Sequence, residues 1–105
     1  MQNVVTFSEE KGVLTARLCG EIDHHVAKNM RECIDARLFA CRPEILVMDF
    51  SGVKFMDSSG IALIIGRNEL SASLGIALRL SGLSELHKRL LRLSGVERLK
   101  NLSIM

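Results

Sequence analysis

The chain has 105 residues, of which 48% are hydrophobic and 25% are charged, and its net charge is +2. This length and hydrophobic content suffice for one buried core and not for two, so we predict a single domain over residues 1–105. The near balance of charges excludes a disordered chain and gives no indication of a strongly polyanionic ligand such as a nucleic acid.

The cysteines and the amino-terminal segment indicate where the protein acts. Cys19, Cys33 and Cys41 form an odd set without a C-x-x-C pair, which favours reduced and mostly buried thiols. The opening residues, MQNVVTFSEE, lack the basic segment and apolar run of a signal peptide. No uncharged stretch reaches the ~18 residues needed to span a bilayer. We therefore expect a soluble cytoplasmic protein with no membrane partner.

The beginning of the chain predicts a β-hairpin. Two short runs rich in β-forming residues, at 4–7 and 13–19, flank the turn residues Glu10-Lys11-Gly12. Gly20 is expected to end the second strand, since glycine weakens strand structure.

An amphipathic helix is predicted over residues 24–41, with Asp23 as its N-cap. Its apolar positions recur at intervals of three and four residues. On the solvent side, Arg31 and Asp35 are predicted to lie one turn apart and to attract each other. The predicted apolar face consists of Val26, Met30, Cys33, Ile34, Leu38 and Cys41.

The middle of the chain predicts a buried strand, a polar loop and a second helix. The apolar run Ile45–Met48 has strand length and favours a central strand covered on both faces. The loop Asp57–Gly60 follows after a few residues. Residues 61–74 then predict a mostly buried helix, which Gly75 ends.

The last part of the chain predicts one more strand and a third helix. Apolar residues alternate along 76–80, as in a half-buried strand. Ser84 is the natural N-cap of the helix that follows, and Gly95 ends it. The leucines predicted to form the buried face of this helix are Leu86, Leu90 and Leu93.

The predicted order of elements is β-β-α-β-α-β-α-(β), where the last strand is a short edge strand at 96–99 and residues 101–105 fray. Alternating strands and helices after a hairpin predict an α/β domain with a mixed, mostly parallel sheet of four to five strands. Functional sites in such sheets lie where the carboxyl ends of strands meet the starts of helices. Two loops qualify, at 20–25 and 57–60.

The loop Asp57-Ser58-Ser59-Gly60 has two interpretations. In the first it only starts a helix, because Asp and Ser oxygens accept hydrogen bonds from free N–H groups and contribute ~1 kcal/mol. In the second, a phosphate on Ser58 is held at the positive helix end. That phosphate adds a charge of about −1.5 to −2 beside Asp57 and so controls binding without unfolding the protein. If the two loops share one end of the sheet, Asp23 joins the same acidic surface.

The residues themselves resemble a known family. The segment MDFSGVKFMDSSGIALIIGR at 48–67, with GEIDHH at 20–25, is similar to the STAS domain, and in particular to the bacterial anti-sigma factor antagonists of the sporulation type. The resemblance covers roughly residues 3–99. Members of the family commonly finish with a further helix after the last strand, so we expect the final packing layer here to be reduced or absent.

The resemblance implies a phosphorylation switch. Ser58 matches the serine that the family phosphorylates, and Ser59 matches its unmodified neighbour. The kinase is the anti-sigma factor, an ATP-binding protein with a histidine-kinase-like fold, and a PP2C-type serine phosphatase resets the antagonist. The unphosphorylated antagonist binds the anti-sigma factor and frees the sigma factor. The partner-binding residues implied are Gly20, Glu21, Asp23, His24, His25, Asp57, Ser58, Ser59 and Gly60.

An enzyme is the first alternative. It would use Ser58 or Ser59 as the nucleophile and His24 or His25 as the base. The pattern G-x-S-x-G, which places a nucleophilic serine on a sharp turn, does not occur in the sequence. We therefore predict no catalytic residues and no cofactor.

Metal and nucleic-acid binding are weaker alternatives. His24 and His25 point in different directions at a helix start, and His87 lies far along the chain, so no ligand spacing typical of a metal site occurs. The basic residues Lys88 and Arg89 are accompanied by no Tyr or Trp for stacking on bases.

A scaffold is the more serious alternative. A STAS module also serves in stress-sensing or transporter-associated assemblies. A scaffold is expected to form large homo-oligomers, whereas a diffusible antagonist is expected to elute as a small particle from a size-exclusion column.

Overall fold

The structure, a computed structural model, describes residues 4–105; residues 1–3 of the predicted domain lie outside the described residues. The elements follow the predicted order. They form a five-stranded mixed sheet and three helices, which confirms the predicted α/β class. The elements are β1 (Val4–Glu10), β2 (Val13–Ile22), α1 (His24–Cys41), β3 (Ile45–Met56), α2 (Ser58–Ser73), β4 (Ala77–Ser81), α3 (Glu85–Ser94), a 3₁₀ turn (Val96–Arg98) and β5 (Leu102–Ile104).

The sheet has a simple topology with its helices on one face. Its strand order is β1-β2-β3-β4-β5, in which β1 is antiparallel to β2 and every other pair is parallel. Helices α1, α2 and α3 each connect one parallel strand to the next, and the chain always advances from β2 towards β5. Such crossovers are right-handed, so all three helices lie on the same face of the sheet. Leu14 and Leu18 on that face are fully buried. Within residues 4–105 no helix covers the other face, where Thr15 and Val47 are half-buried and Arg79 is exposed.

Helix α1 matches its predicted bounds, and its buried face is narrower than predicted. Met30, Ile34 and Leu38 face the core, whereas Cys33 is exposed because it lies about 100° around the helix from Ile34. All three cysteines are free, and the other two are only half-buried. The prediction of mostly buried thiols was therefore wrong.

Strands β2 and β3 are both longer than predicted. β3 continues beyond Met48 to Met56, and β2 continues beyond Gly20 to Ile22. The added residues pair with each other, as in Gly20 with Val53 and Ile22 with Met56, although the composition of these segments is a weak strand signal. Helix α2 accordingly begins at Ser58, three residues before the predicted start. Pairing between strands has overridden local propensity.

Helix α3 turns a different face to the core than predicted. His87 and Leu91 are buried, whereas Leu86 is 62% exposed and Leu93 is 80% exposed. Buried residues at both ends of the helix, Leu83 and Val96, set this rotation. The predicted N-cap and C-cap of α3, Ser84 and Gly95, are both confirmed.

The rotation of α3 gives a stability prediction. Leu91→Ala is expected to lower the free energy of unfolding by ~2–5 kcal/mol, because it leaves a cavity in the core. The matched change Leu93→Ala removes an exposed side chain and is expected to stay within ~0.5 kcal/mol of the wild type. Urea unfolding of both variants measures the difference. Equal losses would contradict the observed orientation of the helix.

The final strand lies later in the chain than predicted. Residues 96–98 form the 3₁₀ turn, and the segment predicted to fray contains β5, which pairs with β4 through Leu78 and Leu102. Asn101 makes this possible: it adopts a left-handed conformation with φ of 75°, and its side chain donates a hydrogen bond of 2.9 Å to the carbonyl oxygen of Ile76. The prediction of an edge strand at 96–99 was wrong, because this turn chemistry moves the strand downstream.

Candidate functional site

The register between β2 and β3 places the two predicted loops side by side. Ile22 is paired with Met56 at the carboxyl ends of these strands, and the backbone N–H of Asp57 donates to the carbonyl oxygen of Ile22 at 3.3 Å. Asp23 directly follows the last residue of β2, and Asp57 directly follows the last residue of β3. The axes of neighbouring strands are ~4.8 Å apart. The sequence predicted from topology alone that the two loops share one end of the sheet. They do so because β2 and β3 remain paired as far as Ile22 and Met56.

Both aspartates cap helices. An Oδ1 atom of Asp23 accepts a hydrogen bond of 3.0 Å from the N–H of Val26, and Asp57 accepts one of 2.7 Å from the N–H of Ser59. Each cap contributes ~1 kcal/mol to its helix. Helices α1 and α2 thus begin beside each other, each with a carboxylate at its positive end.

Ser58 is the exposed first residue of α2. Because Asp57 supplies the cap, the Ser58 hydroxyl is not required to start the helix. The helix behind it is anchored in the core by Leu63 and Ile64, which are buried. A phosphate on Ser58 would project into solvent from a fixed helix end, where N–H groups favour negative charge. Ser59 is half-buried and follows directly.

Two glycines of the predicted site are buried and shape the loops. A Cβ atom on Gly60 would overlap the side chain of Met56, so glycine lets the start of α2 approach the end of β3 closely. Gly20 has a φ of 100° at a register shift between β2 and β3, a conformation that favours glycine. Neither glycine has a side chain that could contact a partner. Both glycines fix the backbone that positions exposed residues nearby, such as Glu21 and Ser58.

The remaining predicted residues line the exposed end of the sheet. Glu21, Asp23, His24 and His25 are all exposed at the junction of β2 and α1. The structure adds Phe55, which is 53% exposed and is paired with Glu21 across the two strands. Phe55 was not predicted as a site residue. Its side chain points outward because it alternates with buried Met56, and this alternation applies only if β3 extends to Met56.

The histidines form no catalytic or metal-binding arrangement in the described residues. No hydrogen bond there joins His24 or His25 to the hydroxyl group of Ser58 or Ser59. His87 is buried on α3. Between residues 4 and 105, no three His, Cys, Asp or Glu side chains come together as metal ligands.

None of the helices in that part of the chain combines the length and the hydrophobicity that a membrane span requires.

A buried contact ties α1 to α2 below the loops. Nε of Arg67 lies 2.8 Å from Oδ1 of Asp35, without the alignment of a hydrogen bond. Burial raises the pKa of Asp35, against the opposing attraction of Arg67 and Arg31. Burial likewise lowers the pKa of Arg67, which Asp35 opposes and Arg31 reinforces. The predicted attraction between Arg31 and Asp35 is confirmed. The prediction that Asp35 lies on the solvent side was wrong, since it is half-buried against Arg67, a residue far along the chain.

Comparison with known proteins assigns the family, since the STAS domain matches residues 5–103. The chain belongs to the STAS domain family. This STAS domain is 33% identical over 92 residues to an anti-sigma F factor antagonist from Paenibacillus polymyxa, covering 88% of the chain and 79% of the relative. It is 39% identical over 66 residues to an anti-sigma F factor antagonist from Lysinibacillus sphaericus, covering 62% of the chain and 56% of that relative.

Solved structures share the fold of this STAS domain. The anti-sigma factor antagonist SpoIIAA in its unphosphorylated form superposes with a TM-score of 0.74 at 22% identity, covering 97% of this chain and 87% of SpoIIAA. The phosphorylated form of SpoIIAA from Bacillus gives the same TM-score at 23% identity, covering 97% of this chain and 91% of that one. At these identities the likeness establishes the fold.

Proposed function

We propose that this STAS domain is an anti-sigma factor antagonist whose binding is controlled by phosphorylation of Ser58. The observation that carries the proposal is the position of Ser58: exposed, at the start of an anchored helix, and beside the capping carboxylates of Asp23 and Asp57. The unphosphorylated surface binds the anti-sigma factor, which then releases its sigma factor. The names of the relatives support this function, and the exposed hydroxyl supports the switch.

A phosphate at Ser58 would oppose binding by simple electrostatics. It adds a charge of about −1.5 to −2 to a surface that already presents Asp23 and Asp57. An interface that excludes water must then desolvate the phosphate and accept the repulsion between like charges. The fold tolerates the change, because Ser58 is exposed and helix amino termini favour anions.

The proposed cycle needs two enzymes and makes the STAS domain a substrate rather than a catalyst. The anti-sigma factor acts as a serine kinase with a histidine-kinase-like fold and transfers the γ-phosphoryl group of ATP to Oγ of Ser58, releasing ADP. A PP2C-type phosphatase hydrolyses the ester with water and returns the serine and inorganic phosphate. The free thiols of the chain support a cytoplasmic location for this cycle.

Incubation with the cognate anti-sigma factor and ATP, followed by peptide mass spectrometry, tests the switch. We expect one phosphate, located on Ser58. Ser58→Ala should remain unmodified, whereas the matched variant Ser59→Ala should still be phosphorylated. A phosphate found on Ser59 alone, or none on either serine, would refute the proposed site.

Asp23 is the leading contact in the loop at 20–25. Asp23→Ala is expected to weaken binding of the anti-sigma factor about tenfold or more, an effect of ~1.4 kcal/mol, without unfolding the protein. Asp23→Asn separates the two roles of the residue, because Asn caps helices about as well as Asp but carries no charge. Isothermal titration calorimetry gives the affinities and circular dichroism checks the fold. Unchanged affinity of both variants would remove Asp23 from the interface.

A further inference from the structure

A groove of about 290 Å³ runs between α1 and α2 and extends away from the predicted loops. Its upper end is lined by His24 and Ser59, so it opens directly beside the surface that carries Ser58. Small residues on both helices, among them Ala27 and Ala62, allow the groove to form. The sequence did not predict the groove, because its two walls, at 24–31 and 59–67, lie far apart in the chain.

The groove is lined by three cations, and the one carboxylate close to them is that of Asp35. Lys28, Arg31 and Arg67 line it, and no carboxylate does; the nearby Asp35 contacts Arg67 from α1. Arg67 is only 6% exposed, and its buried Nη1 has no hydrogen-bond partner among residues 4–105. An anion entering the groove would be attracted by the exposed Lys28 and Arg31 and by the charge of Arg67 beneath them.

Gly66 keeps the groove open at the expense of helix stability. It lies inside α2, where glycine destabilises a helix relative to alanine. A Cβ atom at this position would meet no atom within 4 Å, in contrast to Gly60, so packing within the chain does not require glycine here. The space beside Gly66 is open to a side chain of a partner.

We propose that the α1–α2 groove receives a glutamate or aspartate side chain from an acidic segment of the protein that docks on the neighbouring loops. The inference rests on the proposed function for the identity of that partner. The groove is continuous with the loop surface through His24 and Ser59, and its three cations complement an acidic segment. The acidic Glu21 and Asp23 lie on the loop surface and the cations lie along the groove, so this charge pattern favours one orientation of the partner.

Binding of the cognate anti-sigma factor to unphosphorylated protein tests the groove. Arg31→Glu, which reverses a charge, and Gly66→Leu, which fills the groove, should each raise Kd at least tenfold. Matched controls are Arg89→Glu on α3 and Ala72→Leu on α2, both at exposed positions outside the groove, and they should bind like the wild type. Circular dichroism and urea unfolding confirm that each variant is folded. If both groove variants bind normally while Ser58→Glu does not bind, the groove is not used and the phosphorylation switch stands.

A second measurement tests the groove without the anti-sigma factor. In a ¹H–¹⁵N NMR titration with hexaglutamate, the amide signals of Ala62 and Gly66 should shift in the wild type and not in Arg31→Glu. Shifts with hexaglutamate support the groove even if the wild type fails to bind the anti-sigma factor, a result that would refute the proposed function alone. No shift with hexaglutamate, or shifts with inorganic phosphate only, would overturn the inference.

Discussion

Ser58→Ala is expected to bind the anti-sigma factor constitutively, and Ser58→Asp or Ser58→Glu to bind it poorly. To change a partner from almost fully bound to almost fully free, the binding free energies of the two forms of the protein must differ by ~5.5 kcal/mol. A carboxylate has one negative charge where a phosphate has almost two, so it should produce only part of that difference. We expect the acidic variants to bind at least tenfold more weakly than Ser58→Ala, which corresponds to ~1.4 kcal/mol.

Titration calorimetry in the absence of ATP measures this difference directly, because no phosphate is then transferred. Ala72→Glu adds the same charge to an exposed position near the other end of α2 and should bind like the wild type. All variants should show wild-type circular dichroism, since Ser58 is exposed and Asp57 supplies the cap. Equal affinity of Ser58→Ala and Ser58→Glu would refute the switch.

Local signals predicted the starts of α1 and α3 correctly. Asp23 and Ser84 were identified as N-caps from their residue type and position, and each accepts the expected hydrogen bond from the N–H three residues later. Capping involves only one helical turn, so a short window of sequence contains all the required information. The same holds for Gly95, which ends α3 in a left-handed conformation.

Features that depend on distant residues could not be predicted in this way. β3 runs to Met56 because β2 lies beside it, and Asn101 can start β5 because the carbonyl oxygen of Ile76 is within reach. The rotation of α3 likewise follows from the burial of Leu83 and Val96 at its two ends and not from the leucine pattern within it.

In the candidate site, too, local features were predicted and features that depend on distant residues were not. Ser58 and Asp57 were found because they form a short contiguous motif, whereas Phe55 and the α1–α2 groove were missed. Phe55 faces outward only because β3 is long. The groove exists only after two helices pack, and its most buried cation, Arg67, resembles an ordinary helical arginine in the sequence.

Removal of one partner from the buried ion pair should lower the free energy of unfolding by several kcal/mol, about as much as a cavity in the core. Asp35→Ala leaves Arg67 buried without its counter-charge, and breaking a buried pair costs ~3–5 kcal/mol. Because Asp35 is partly exposed, we expect a loss near the lower end of that range. Urea unfolding measures the loss, which is a large fraction of the ~5–15 kcal/mol that stabilises a typical domain.

The exposed pair Glu85–Lys88 is the matched control for this prediction. Its nitrogen–oxygen distance is 3.7 Å and it lies on the surface of α3, so Glu85→Ala should change stability by only ~0.5 kcal/mol. An Asp35→Ala variant no less stable than Glu85→Ala would show that Arg67 is solvated or paired in another way.

The double variant Asp35→Leu with Arg67→Met should recover most of the stability lost in Asp35→Ala. Burial raises the pKa of Asp35 and lowers that of Arg67, so each group is shifted towards its neutral form and desolvation outweighs their mutual attraction. An apolar pair avoids that desolvation and still packs α1 against α2. Since the double variant also lacks a cation of the groove, it should fold well and bind the anti-sigma factor weakly. A double variant that is as stable as the wild type and binds the anti-sigma factor more weakly would separate the role of Arg67 in the partner interface from its role in the fold.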